Sequence, residues 1–431
     1  MRRKSVLVGV LALALSGCAS GGKPTRATSP TTAASHSGSH KGKATKATTA
    51  NQPSGTTSTT AAAAGGGVGA SATASCIASG AASAPANQPD LTSVQFVSPA
   101  QGWVAGPGRV MVTSDGGAHW TTQLSSANRI GSVDFISGQV GWAVANSHLL
   151  GTTNGGACWR YLGEPAQPLR QVHFVSASQG WGIAGGGLTF GAGGGVAGET
   201  GAPVPPQSGG QLVQTSNGGG IWSAVGTAPA NVQSVCFVTP TQGWLAASGV
   251  IYRSSDGGAS WTAVDNTNPH GTSGPYFDRV SLQCAGSSSV WAVAQTLQVA
   301  AGNQPWAVLH SADGTNFGVV IQNQFAPGQT SATSAPGSYP GPFSSISPAS
   351  VAVSGYTPAR ANNPAGVMVL SMGAVPVLAG ISGIGVPTGL SFASSARGWV
   401  VGTVSPSGSG PAVIESTSNA GATWSVQAQV P

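Results

Sequence analysis

Phe96–Trp120 reads FVSPAQGWVAGPGRVMVTSDGGAHW, and the phrase returns with variations down to FASSARGWVVG and TSNAGATW close to residue 430. A Gly-Trp pair leads into a short alternating apolar run that ends in S/T-x-D/N-x-G-x-x-W. The pairs stand at Gly102-Trp103, Gly141-Trp142, Gly180-Trp181, Gly243-Trp244 and Gly398-Trp399, with Val290-Trp291 as a variant. The second half of the phrase closes at Trp120, Trp159, Trp222, Trp261 and Trp424, and a version one residue shorter, SADGTNF, closes at Phe317. The first two intervals between Gly-Trp tryptophans are 39 residues, and the third is 63 because a Gly/Pro-rich insert intervenes. Trp291 to Trp399 spans 108 residues, room for two units, and Gly355-Tyr356 takes the place of Gly-Trp in the second of them, the sixth unit. A fixed period decides the architecture, and the count is seven units.

Within one unit the strands can be read directly. SVQFV alternates and is rich in Val and Phe, SPAQ is a turn, GWVAG a second strand, PGR a turn, VMVTS a third strand, DGG a tight turn and HWTTQ a fourth strand. Asp-Gly between alternating apolar runs is a strong hairpin signal. No stretch between residues 90 and 431 keeps a helical period. The expected fold is all-β, a seven-bladed β-propeller of four-stranded antiparallel blades, a closed ring with few exposed sheet edges.

The motif S/T-x-D-x-G-x-x-W resembles the Asp-box of BNR and sialidase-type propellers. With the preceding F-x5-G-W, residues 91–431 are similar to the Ycf48-like group of seven-bladed propellers, the photosystem II assembly and stability factors. That resemblance implies a role in assembling or stabilising a membrane protein complex. No residue-level partner motif matches, so photosystem binding is not carried over.

The box residues Asp115, Asn154, Asn217, Asp256, Asp313 and Asn419 read as structural. A short polar side chain here can bond to backbone amides a residue or two on and hold the turn. A role as catalytic acids or calcium ligands fits badly, because three of the six are Asn and acid–base chemistry needs an ionisable group. The closing tryptophans are expected to pack between adjacent sheets.

Residues 1–17 form an address. MRRK is basic, SVLVGVLALAL is too short for a comfortable membrane span, and Leu15-Ser16-Gly17-Cys18 resembles a bacterial lipobox. The resemblance implies cleavage before Cys18 and lipidation of its thiol, and two or more acyl chains at ~0.8 kcal/mol per buried CH2 give stable anchoring. Residues 18–85 are Ser, Thr, Ala and Gly with scattered Lys, unable to bury a core, and are expected to act as a tether. The expected domain then runs over 86–431. All eight basic residues before position 50 belong to the address and tether. The remainder has eight arginines, no lysine and all ten carboxylates, a formal charge of 8 − 10 = −2. Such a surface is a poor match for nucleic acid. The chain is expected to be exported and membrane-anchored through its lipid.

Cys76, Cys158, Cys236 and Cys284 remain after lipidation, and an exported chain invites their pairing. Cys236 and Cys284 stand in the first strands of units four and five at nearly the same depth, a candidate disulfide that leaves Cys76 and Cys158. No C-x2-C or H-x3-H spacing points to a metal site, and no cofactor is expected.

Long insertions at 185–210, 263–279, 295–305, 322–343, 357–366 and 404–411 all follow second strands or link units, which places them on one face of the ring. They carry Tyr276, Phe277, Arg279, Trp306, Tyr339, Tyr356 and Arg360, side chains of the kind that anchor interfaces. The opposing reading is that each aromatic packs its own loop on the blade below. Catalysis has less support: no FRIP-like element occurs, and the non-box carboxylates are scattered rather than paired. The expectation is a non-enzymatic scaffold for an envelope or membrane protein, the alternative a propeller that binds or hydrolyses surface glycan.

Overall fold

The computed structural model describes residues 75–77, 91–146, 148–163, 165–186, 209–267, 277–296, 304–323, 336–357, 365–405 and 410–430. Residues 1–74, which hold the expected address, Cys18 and most of the tether, lie outside the described residues. Among the described residues strands form six antiparallel sheets, five of four strands and one of six, and none of these residues is helical. The six-stranded sheet holds units one and two. Thr121–Phe135 runs without a break from the outer strand of unit one into the inner strand of unit two. Strand structure also runs through the expected turn at PGR, within Gly102–Thr113, where Gly108 takes a φ of 72°.

Alternation along each inner strand sends one set of side chains against the neighbouring sheet. Among the described residues the buried apolar side chains fall into seven clusters, one for each successive pair of units. The last joins unit seven to unit one through Leu91, Val94 and Phe96 against Trp399, Val401 and Ile414. The chain thus closes on itself as a β-propeller.

The spacing F-x5-G-W has a steric cause. In units one to four and seven the phenylalanine ring lies over the glycine paired with it. A Cβ on Gly102, Gly141, Gly180, Gly243 or Gly398 would come within 2.3–2.6 Å of that ring. Unit five shows the same rule in reverse. Cys284 replaces the phenylalanine opposite Val290, and a side chain then fits. Register corrects the reading of unit six: Ser345 pairs Val351 and Ser344 pairs Ala352. Val351-Ala352 therefore stands at the Gly-Trp position, and Gly355-Tyr356 lies four residues further along.

Each tryptophan of a Gly-Trp pair reaches the following unit. Trp103, Trp142, Trp181 and Trp399 stack on Phe135, Phe174, Phe237 and Phe96 with centroids 3.4–3.6 Å apart. Their indole N–H groups donate to Gly155, Gly218, Gly257 and Gly116 carbonyls in the next box turn, at 2.9–3.2 Å. Trp244 does the same to Gly314 at 2.7 Å, and Trp291 turns to Ser347 because unit six has no box. The phenylalanine meets its own box tryptophan edge-on, as in Phe135 with Trp159 at 5.9 Å.

Candidate functional site

The box turns bound one end of every unit but the sixth. In Thr113-Ser114-Asp115-Gly116-Gly117 the threonine hydroxyl donates to Asp115 Oδ1 at 2.8 Å and accepts from Gly117 N–H at 2.9 Å. Asp115 Oδ1 also accepts from His119 N–H at 2.9 Å. Asn154, Asn217 and Asn419 make the same two bonds through Oδ1, to the Thr hydroxyl and to the amide four residues on. Asp313 serves its shorter turn through the amides of Thr315 and Asn316. A neutral oxygen thus does the work of a charged one. Bonds from Ser260 and Ser254 hold the Asp256 carboxyl down to about 2. The His119 bonds, then that of Thr113, hold Asp115 well below the usual carboxylate range, and those of Asn316 and Thr315 do the same for Asp313. Each accepts hydrogen bonds from its own turn.

Around the ring axis lies a cavity of about 1100 Å³, lined by the inner strands. The residue just before the phenylalanine position points along this wall and ties its unit to the next. Gln95 Nε2 donates to Phe135 O at 3.1 Å, and its Oε1 accepts from Phe135 N–H at 2.7 Å. Asp134 Oδ2 accepts from Phe174 N–H at 2.8 Å, and His173 Nε2 lies 2.8 Å from Phe237 O. Cys236 is disulfide-bonded to Cys284, which holds the phenylalanine position of unit five. Gln283 bridges Phe343 O and Ser345 N–H, Ser344 Oγ accepts from Phe392 N–H, and Ser391 Oγ accepts from Phe96 N–H. Seven ties, one per interface, encircle the cavity, and one of them is covalent. The signal was in the sequence: VQF, VDF, VHF, VCF and LSF each put a Cys or polar residue before the apolar one.

Burial raises the Asp134 carboxyl above its ordinary value, opposed by the nearby His173 and by the Phe174 N–H bond. Arg170 and Arg279 line the same cavity, and burial lowers both; the positive charge of Arg279 lowers Arg170 further. Asp278 lines it too and accepts from Thr296 Oγ1 at 3.3 Å.

Of the interface residues expected from sequence, Phe277, Trp306, Tyr339 and Tyr356 are buried, so they offer no exposed ring to a partner. Phe277 packs among Trp244, Ile251 and Val280, and Trp306 stands in the five/six interface at 0% exposure. Tyr339 and Tyr356 pack together at 5.6 Å in the six/seven interface, where burial and then Tyr339 push the Tyr356 hydroxyl up to about 12. Their position at insertion ends suggested surface, yet each belongs to a strand or its approach. Arg279 lines the cavity, while Tyr276 and Arg360 lie outside the described residues. Cys76 is disulfide-bonded to Cys158, and Ile77 N–H donates to Trp159 O at 2.8 Å, which fastens this part of the expected tether to unit two. Among the described residues no three His, Cys, Asp or Glu side chains gather as a metal site, and no helix is long and apolar enough to cross a membrane.

No protein-family model matches the chain, and comparison with curated proteins finds no relative. Solved structures resemble it at low identity. An ancestral GH74 enzyme shares 16% identity over 81% of this chain at a TM-score of 0.46, and the chain spans about half of that protein (46%). YCF48 from Cyanidioschyzon merolae shares 14% over 79% of this chain and 85% of its own, at 0.36. The extracellular domain of a one-component system from B. thetaiotaomicron shares 11% over 73% of this chain and 37% of its own, at 0.46. With these TM-scores below 0.5 the likenesses carry no argument about activity. The propeller fold stands on strand pairing and on the interfaces described above.

Proposed function

We propose that the protein is an exported, lipid-anchored β-propeller that acts as a non-enzymatic scaffold for an envelope or membrane protein. One observation carries this reading against a glycosidase: the described carboxylates are engaged in bonds within the fold or stand on different elements. Asp115, Asp256 and Asp313 serve box turns, Asp134 holds the two/three interface, and Glu415 accepts from Gly383 N–H at 2.6 Å. Asp265 lies on the outer strand of unit four, whereas Asp278 lines the axial cavity. A two-carboxylate hydrolase needs an acid and a nucleophile or base held across one scissile bond. The sequence of residues 1–18 supports export and the lipid anchor.

The test is crosslinking of the full chain in its native membrane, followed by identification of what co-purifies, with a variant lacking residues 187–208 and a Cys18→Ser variant alongside. A discrete membrane protein, lost on deletion of the insert and reduced when Cys18 is replaced, supports the scaffold. Retention on surface glycan with no protein partner overturns it in favour of carbohydrate.

A further inference from the structure

One residue of each third strand pairs with the residue just after the Gly-Trp position and faces the preceding unit. In units two to six that place is held by Leu150, Val213, Tyr252, Leu309 and Met368, and each packs in the cluster shared with the unit before. Unit seven puts Glu415 there, opposite Val400. Val413, two residues back on the same strand face, belongs to the six/seven cluster. Glu415 is itself at 0% exposure. Its Oε1 accepts from Gly383 N–H at 2.6 Å, whereas Oε2 has no hydrogen-bond partner among the described residues.

Residues 381–385, the link from unit six to unit seven, cover this carboxyl. A Cβ on Gly383 would lie 2.8 Å from Oε1, so the link sits directly on it. Ile381 and Ile384 are buried, Ser382 is exposed, and Gly385 N–H donates to Thr403 O at 2.7 Å. The other ionisable side chains of the two units are Tyr339, Tyr356, Arg360 and Arg397. The two tyrosines stand in the same cluster and stay neutral, since burial raises both and pushes Tyr356 up to about 12. Arg397 is exposed, and Arg360 lies outside the described residues. Burial pushes the Glu415 carboxyl above its ordinary 4.5, opposed by the Gly383 bond. An ionised carboxylate with one donor and apolar walls is costly, and lifting the link admits water to it.

We propose that Glu415 makes the six/seven interface a pH-sensitive latch, closed while its carboxyl is protonated and loosened at the 381–385 link once the carboxyl ionises. The latch is independent of the scaffold reading.

Urea unfolding of the full chain from about pH 4 to 8, wild type against Glu415→Gln, tests it. The variant keeps an oxygen for Gly383 N–H and cannot ionise. The folded wild type holds its proton to higher pH than the unfolded chain does. Its stabilisation is therefore complete below 4.5 and is lost as pH rises through the folded value. Relative to the variant, the wild-type folding equilibrium should fall by up to about tenfold per pH unit above 4.5, then level off. Hydrogen exchange reads the opening: the rate at Gly385 N–H relative to Phe135 N–H should climb with pH in the wild type and stay constant in the variant. A stability gap that does not widen with pH, or an exchange ratio that changes alike in both proteins, overturns the proposal. Should the variant not fold, carboxyl-labelled glutamate in the wild type decides by carbon NMR, since the chain has only Glu164, Glu199 and Glu415. One signal is expected to stay protonated above the ordinary 4.5, and three ordinary titrations overturn the latch.

Discussion

The ring is held in two different ways. At the one/two, two/three, three/four and seven/one interfaces a tryptophan lies flat on the next unit's phenylalanine and its indole N–H closes on a box carbonyl. At four/five, five/six and six/seven the phenylalanine position is Cys284, Ser345 or Phe392, and no tryptophan stack forms there. Trp244 keeps only its indole bond, Trp291 packs against His310 at 4.1 Å, and Ala352 replaces the tryptophan of unit six. Yet the lateral tie survives at every interface. A position in a repeat is defined by the geometry it must satisfy, and several chemistries satisfy it.

The largest effect should come from the aromatic half. Trp142 is fully buried, stacked on Phe174 at 3.5 Å and bonded to Gly218 O at 2.9 Å. Trp142→Ala removes ring, stack and bond together, and about 3–5 kcal/mol of stability should go with them, measured by denaturant unfolding. Ala352→Gly, at the equivalent position of unit six, should cost about 1 kcal/mol or less. Equal losses would show that the two halves do not differ as described.

Next is the covalent tie. Cys236 and Cys284 are 48 residues apart, so reduction or Cys284→Ser should cost about 2–4 kcal/mol. A sharper version exchanges one mode for the other. Cys284→Phe with Val290 retained should fold poorly, because the ring would meet a side chain where the other units have glycine. Cys284→Phe, Val290→Gly and Cys236→Ser together should recover part of the loss through a stack on Trp244. If the triple variant is no more stable than Cys284→Phe with Cys236→Ser, the steric account of the Phe–Gly pair is wrong.

A single hydrogen-bonded tie should matter less. Ser391→Ala removes the acceptor of Phe96 N–H at the interface where the two ends of the described ring meet. About 1–3 kcal/mol is expected for a buried N–H left without its partner. Hydrogen exchange at Phe96 should quicken more than exchange at Phe135, whose tie through Gln95 is untouched. Uniform acceleration around the ring would mean that the ties do not act locally.

The aromatic half was readable in the sequence because its motif is long and repeated, and its Phe–Gly spacing is sterically forced. Unit six was misaligned by four residues because it had lost all three, and Gly355-Tyr356 looked like a remnant. The sheet count differed because Thr121–Phe135 carries pairing across the link between units, and a polar linker sequence gives no sign of that. Phe277, Trp306, Tyr339 and Tyr356 were read as surface from their place beside insertions, although an aromatic at a strand end packs into the nearest interface. The lateral ties went unread for a different reason. A single polar residue in an inner strand looks like ordinary alternation until the ring brings its neighbour within reach.

The smallest effect separates the boxes themselves. Asp256 and Asn419 make equivalent turn contacts, and Asn419 Nδ2 donates to Thr423 Oγ1 where Asp256 Oδ2 accepts from Ser260 Oγ. Asp256→Asn should therefore leave the turn intact and lower Tm only slightly at pH 7. The carboxyl sits at about 2 when folded, against 3.8 for an unperturbed aspartate, so the folded chain holds fewer protons than the unfolded one between those values. Its contribution is present above the unfolded value and fades as pH falls toward 2. The gap in Tm between wild type and variant should be constant above about pH 5 and close between about pH 4 and 2. Asn419→Asp should acquire the opposite behaviour, gaining over wild type at neutral pH and losing that gain in acid. A gap that persists at pH 2 would mean that the turn depends on the shape of the side chain alone, and that charge in the boxes contributes nothing to folding.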